Sequence, residues 1–166
     1  KGDKLDAIVR DATELGATLV VLVETARSVV RLEGKRREER AARLRKIAEE
    51  AARQCGRGDA PAVAGPLPLG EALALAPDGG RFALAPGAAE PLGRGLDAHL
   101  GAALTFAVGP EGGLTDGELG ELEDAGFARV SLGPFVLRTE TVVAAVLGAV
   151  RVLDAARDLE AAPPGG

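Results

Sequence analysis

Two loops between Leu104 and Thr141 carry the residues best suited to chemistry. The first is Gly109-Pro110-Glu111-Gly112-Gly113. The second is Ser131-Leu132-Gly133-Pro134, which leads into Leu137-Arg138-Thr139-Glu140-Thr141. Glycine lets a backbone approach a ligand closely or take a positive φ without a Cβ clash. No Lys follows the glycines of the first loop, so it is not the phosphate loop GxxxxGK[ST], and it is not GxGxxG either. A phosphate reading therefore lacks its cationic partner. Two readings stay open: backbone amides and carbonyls suited to a neutral heterocycle or a zwitterion, with Glu111 as the one charged side chain, or a plain structural turn.

The flanking elements must place these loops. Leu104–Val108 is a short apolar run that reads as a strand, and it stops at the glycines. Thr115 and Glu118 have the spacing of a capping box, which starts a helix to Ala125 with Gly126 as its stop. Ala128–Leu132 reads as a second buried strand, and Gly133-Pro134 ends it before Val136 opens a long apolar helix. Two strand-loop-helix units in tandem place a ligand edge at the carboxyl ends of the strands.

Upstream, Leu5, Ile8, Val9, Ala12 and Leu15 keep the rhythm of an amphipathic helix over Lys4–Leu15 that Gly16 ends. Thr18–Val23 reads as a strand covered on both faces. The polar loop after it, Glu24–Ser28, brings Arg27 to the same kind of carboxyl edge. A long helix over Lys35–Cys55 ends near Gln54 and Arg57, with Cys55 expected as a small buried hydrophobe. Pro61–Leu69, with three prolines, reads as an extended connector, Leu69–Leu75 as a short helix and Arg81–Ala85 as a strand whose following Pro86-Gly87 joins the loop edge. Leu92–Leu100 has no clear type, and His99 is expected on the surface. The pattern alone predicts an ordinary α/β fold with a doubly wound, mostly parallel sheet.

A chain of 166 residues, 46% of them hydrophobic, can bury one sizeable core. One domain over 1–157 with a flexible tail over 158–166 is expected. No apolar run approaches the roughly 20 residues of a membrane helix, and the first residues lack the apolar centre of a signal peptide. The expectation is a cytoplasmic protein without a membrane partner. The lone Cys55 cannot form an internal disulfide, and a single His with no second His or nearby Cys makes no zinc site, so no metal is expected. With no initiator Met, the chain is expected to be part of a longer protein.

The net charge of −5 argues against bulk attraction to nucleic acid, but eleven Lys and Arg stand against five Glu between Arg27 and Arg57. That segment is either an anion-facing surface or a solvated helix with paired charges. Tyr and Trp are absent and only four Phe occur, which excludes base-stacking platforms of the single-strand-binding kind.

Set together, GPEGG, then SLG about twenty residues on, then LRTET, resemble the RsmE family of ribosomal RNA uracil-N3 methyltransferases, within the SPOUT class that uses S-adenosylmethionine. KLDAIVRDATELG, the arginine of TARSV and EEAARQCGR match the family's pattern in the same order, so the resemblance spans Lys4 to about Leu153. It implies a SPOUT-type α/β knot: a mostly parallel sheet flanked by helices, with a C-terminal trefoil knot that makes the methyl-donor pocket, in a homodimer paired through the knot helices. It further implies that Leu84 ends the first knot strand, that Gly109, Glu111, Gly112 and Gly113 face the donor, and that Ser131, Leu132, Gly133 and Leu137 form the adenine pocket. Arg138 and Glu140 would lie beside the transferred methyl group, with Arg27, Gln54 and Arg57 contacting RNA of the small subunit. The family often has a polar residue or histidine after Leu84 where this chain has Ala85, and its usual N-terminal RNA-binding barrel is expected to be missing here. For methyl transfer to uracil N3, Arg138 would stabilise the developing anion, and either Glu140 or Glu111 would take the proton.

Overall fold

The computed structural model describes residues 2–28 and 34–161. Its elements alternate as α1 (Gly2–Glu14), β1 (Leu19–Glu24), α2 (Gly34–Gln54), β2 (Ala62–Pro68), α3 (Leu69–Leu73), β3 (Gly80–Leu84), α4 (Leu92–Leu96), a 3-10 turn (Asp97–His99), β4 (Leu104–Val108), α5 (Asp116–Asp124), β5 (Ala128–Val130) and α6 (Thr139–Ala161). All strand pairs are parallel: β1 with β2, and a three-stranded sheet in the order β4-β3-β5. The expected α/β class with parallel sheets flanked by helices is present, divided into two hydrogen-bonded sheets.

Strand β3 is central because both of its faces are apolar. Phe82 and Leu84 point into a cluster with Leu92, Leu96, Val130 and Val146. Ala83 points the other way, to Leu119, Leu122 and Phe127 of the α5 side. This alternation is the period of two along a strand, with helices covering both faces. Phe82 pairs in register with Phe106 and stacks on it at 5.6 Å between ring centres. A third cluster, Val9, Leu44, Ala48 and Val63, sits under α1, α2 and the β1–β2 pair. Each fully buried Leu or Val contributes about 1.5–3 kcal/mol relative to exposure, so these clusters hold the helices against the sheets.

Several expectations change. Pro61–Leu69 is not a connector: Ala62–Pro68 forms β2 and pairs with β1. The register shifts between Val21 and Val23, so Gly65 and Pro66 occupy an irregularity, where a proline's missing N–H breaks no ladder bond. Cys55 is exposed, because α2 ends at Gln54 and the chain turns away before the cysteine can face the core. His99 is half-buried, edge-on to Phe82 at 5.8 Å, since the 3-10 turn carries it back over β3. The long last helix starts at Thr139 rather than Val136, and it continues to Ala161 because Asp, Leu, Glu and Ala offer no break; residues 162–166 of the expected tail lie outside the described residues. Residues 29–33 of the basic segment also lie outside them.

The start of α5 follows the expected chemistry. Thr115 Oγ1 accepts from the Glu118 N–H, and the Glu118 carboxylate accepts from the Thr115 N–H at 2.7 Å. Glu118 Oε1 also accepts from the Ala26 N–H at 2.8 Å, which ties the loop after β1 to α5. Burial pushes the Glu118 carboxyl up, but the N–H donors of Thr115 and Ala26, the Thr115 hydroxyl and the Arg27 charge outweigh it and leave it below the ordinary value.

A depressed carboxyl stabilises the fold above its unfolded pKa, and that contribution is lost as pH falls through the folded value. Glu118→Ala should therefore cost about 1 kcal/mol in denaturant unfolding at neutral pH, with the gap to wild type closing on acidification below the ordinary carboxylate range. The glycines allow a paired check. Gly65 has φ +90°, and an added Cβ would lie 2.3 Å from the Leu22 carbonyl oxygen, whereas Cβ at helical Gly120 would meet nothing within 4 Å. Gly65→Ala should lose at least about 2 kcal/mol, and Gly120→Ala should gain about 0.5–1 kcal/mol, both read from denaturation midpoints.

Candidate functional site

Because β4, β3 and β5 run in one direction, the loops that leave them emerge on one edge. These are the residues after Leu84, the glycine loop after Val108 and the loop after Val130. The backbone joins them: the Ala85 N–H donates to Val130 O at 2.9 Å, and Ser131 bridges to Pro91 by accepting from the Leu92 N–H and donating to Glu90 O, each at 2.9 Å. The start of α6 closes on the same edge, where Thr139 Oγ1 donates to Gly109 O at 3.1 Å.

The glycine loop needs its glycines for different reasons. Gly113 has φ +71° and its N–H donates to Pro110 O at 2.8 Å, which makes the turn. Gly109 is crowded: an added Cβ would meet the Leu114 nitrogen at 3.0 Å. Gly112 is not at positive φ, but Arg27 lies on it, with Cβ 3.2 Å from where an alanine Cβ would be. Gly133 has φ +105° and open space around it.

Around these loops sits a group of charges from three chain segments. Lys4 of α1 pairs with the Glu111 carboxylate. That hydrogen bond holds Glu111 below the ordinary carboxylate range and raises Lys4. The Glu140 charge also raises Lys4, while Arg138 opposes the shift. Glu140 is half-buried, and its Oε2 is shielded from solvent without a hydrogen-bond partner. Arg138, two positions earlier in the chain, is exposed.

The structure thus brings together Gly109, Glu111, Gly112, Gly113, Ser131, Leu132, Gly133, Leu137, Arg138 and Glu140 on the edge where β3 ends at Leu84. Leu132, Phe135 and Val136 are exposed apolar residues there, and Leu137 is half-buried. The Leu84 side chain points into the core, so only its backbone end reaches the edge. Arg27 also reaches the edge, and its Nη1 donates to Gly112 O at 2.8 Å. Gln54 and Arg57 do not join it. Arg57 Nη1 donates to Thr13 O and Ala17 O at 2.8 Å, next to the start of β1, while Arg27 follows its far end. A strand of that length separates them by roughly 17 Å. Arg57 Nη2 donates to Asp59 at 3.2 Å, so the Arg57 head is tied to its own chain, while Gln54 stays exposed at the end of α2.

Sequence reading missed Lys4 and Thr139, whose partners lie 107 and 30 positions away, separations that no local period reports. A separate cleft of about 420 Å³ lies between α2 and β2 beside Arg37 and Arg45, whose guanidinium groups donate to the carbonyls of Pro66 and Val63. Among the described residues no group of three or more His, Cys, Asp or Glu could hold a metal, and no helix is long and apolar enough to cross a membrane.

Comparison with known proteins places this geometry in a family. Residues 1–151 match the model of the RNA methyltransferase domain. The chain is 35% identical to the ribosomal RNA small subunit methyltransferase E of Bacillus subtilis, over 90% of this chain and 61% of that protein. It is 37% identical to the enzyme of the same name from Mycobacterium bovis, over 97% of this chain and 63% of that one. A crystal structure of ribosomal RNA small subunit methyltransferase E from Neisseria gonorrhoeae, bound to S-adenosyl methionine, superposes with a TM-score of 0.81 at 34% identity, covering 92% of this chain and 62% of that one. The chain therefore spans less than two thirds of the length of these relatives. With strand-end loops that meet on one edge and a family match over nearly its whole length, this chain belongs to the RNA methyltransferase domain family.

Proposed function

We propose that this chain is the methyl-transfer domain of an S-adenosylmethionine-dependent enzyme that methylates N3 of a uridine in small-subunit (16S) ribosomal RNA. The observation that carries the reading is the single edge on which the loops after β3, β4 and β5 meet, with Arg138 and the unpartnered Glu140 oxygen at the helix start beside it. The edge fits the donor's chemistry. It offers backbone groups and apolar side chains for a neutral purine, open space at Gly133, and no lysine set among the glycines for a phosphate. Residues 131–133 and Leu137 would hold the adenine, and the glycine loop would face the rest of the molecule. Bound there, the donor supplies an electrophilic methyl group.

Uracil N3 is nucleophilic only once its proton has gone. Arg138 would donate to a uracil carbonyl oxygen and stabilise the negative charge that develops there. Of the two candidate bases, Glu111 is already engaged by Lys4 and held below the ordinary range, which weakens it as a proton acceptor. Glu140 Oε2 is shielded from water and accepts from no donor, so it is free to receive the N3 proton. RNA phosphates would meet the exposed basic face of α2 and Gln54 at its end.

The same reading includes the C-terminal trefoil knot, one domain over 1–157 and a homodimer. Phe135 and Val136 after β5, and Val152 and Leu153 on α6, are exposed apolar surface that a second copy would cover. It also places the enzyme in the cytoplasm with its ribosomal substrate.

Arg138→Ala should lower methyl transfer to small-subunit ribosomal RNA by at least about a hundredfold, while calorimetry shows S-adenosylhomocysteine binding retained; near-normal turnover would remove Arg138 from the mechanism. Gly133→Leu, strained at φ +105°, should abolish S-adenosylhomocysteine binding, and unchanged affinity would count against the loop assignment.

A further inference from the structure

The loop after β1 reaches across to the glycine loop and fixes its shape. Arg27 Nη1 donates to Gly112 O at 2.8 Å and to Leu114 O at 3.4 Å, across 85 and 87 positions of sequence. The other ends of those two peptide units are held as well. The Gly113 N–H donates to Pro110 O, and the Thr115 N–H donates to the Glu118 carboxylate, which also receives the Ala26 N–H. Two peptide planes on either side of the Gly113–Leu114 peptide are thus fixed at both their carbonyl and amide ends. The alkyl stem of Arg27 lies on Gly112, with Cβ and Cδ 3.2 and 3.4 Å from the position of an added Cβ.

We propose that Arg27 is a positioning residue for the methyl-donor loop rather than an RNA contact, and that position 112 is glycine because the Arg27 stem rests on it. The inference rests on the donor-pocket reading above and deepens it, since it names what pre-shapes the pocket. A flexible five-residue glycine loop would lose about 1–2 kcal/mol of backbone entropy per residue on ordering around a ligand, and a loop already held by Arg27 avoids that loss at the binding step. Arginine suits the task because both hydrogen bonds leave one nitrogen, Nη1, whose two N–H bonds are fixed in the guanidinium plane, whereas the freely rotating ammonium of lysine is not held in that direction.

A double-mutant cycle read by calorimetry with S-adenosylhomocysteine tests this. The variants are Arg27→Ala, Gly112→Ala and the two combined, with Arg27→Lys as the conservative replacement. Arg27→Ala should weaken binding about tenfold, in line with loss of a charge-assisted hydrogen bond. Gly112→Ala should also weaken it, because the new methyl displaces the arginine stem. In the double variant the methyl has no stem to displace, so its affinity should equal that of Arg27→Ala alone. Arg27→Lys should recover only part of the loss. Ligand-free melting temperature separates folding from positioning. If Arg27→Ala does not fold, Gly112→Ala and Arg27→Lys read the same contact with a cation kept at position 27. Wild-type affinity in Arg27→Ala, or penalties that add fully in the double variant, would overturn the proposal. So would unchanged S-adenosylhomocysteine affinity accompanied by a shallower salt dependence of RNA binding, which would place Arg27 on phosphate. Failure of the unmodified chain to bind S-adenosylhomocysteine would instead overturn the donor-pocket reading itself.

Discussion

Parallel pairing of β4, β3 and β5 is the constraint from which the site follows. Three short strands that run the same way must release their chains on the same edge, so Leu84, Val108 and Val130 end side by side and the loops behind them become neighbours. The pairing depends in turn on β3 being apolar on both faces, with Phe82 and Leu84 turned to α4 and α6 and Ala83 to α5. A polar residue at any of those positions would leave a helix with nothing to cover and would loosen the edge that the loops share.

Glycine-rich loops have no shape of their own, and here shape is imposed from a distance. Lys4 holds Glu111, Arg27 holds Gly112 and Leu114, and Thr139 holds Gly109. The three anchors come from α1, the loop after β1 and the first residue of α6, so a single loop reports on packing throughout the chain. The same contacts sort the carboxylates into roles. Glu118 is consumed in holding helix and loop together, Glu111 is neutralised by its lysine, and Glu140 alone among them keeps a shielded oxygen without a partner.

What was legible in the sequence follows the range of the interaction involved. The capping box of Thr115 and Glu118 spans three residues and was readable; so were the strand runs Leu104–Val108 and Arg81–Ala85, where composition and flanking breakers act locally. Strand β2 was hidden because three prolines argue against pairing, and only the partner's register shift shows where Pro66 fits. Cys55 and His99 depart from their sequence pattern for a related reason: exposure at a helix end, and contact with Phe82 through a turn, depend on where the chain goes next. Of the site itself, GPEGG, SLG and LRTET were visible as a set, whereas the division of arginines was not. Arg27 reaches the glycine loop, while Arg57 binds the carbonyls of Thr13 and Ala17 at the other end of β1, and nothing in residue type distinguishes the two.

The central claim is that one loop edge, and not the cleft between α2 and β2, receives the methyl donor. Amide hydrogen exchange of the chain with and without S-adenosylhomocysteine tests it most directly, because protection reports position along the chain. The account predicts that added protection concentrates in residues 109–115 and 131–138, with residues 34–45 and 62–66 unchanged. Protection centred on α2 and β2, with the two loops unaffected, would contradict it.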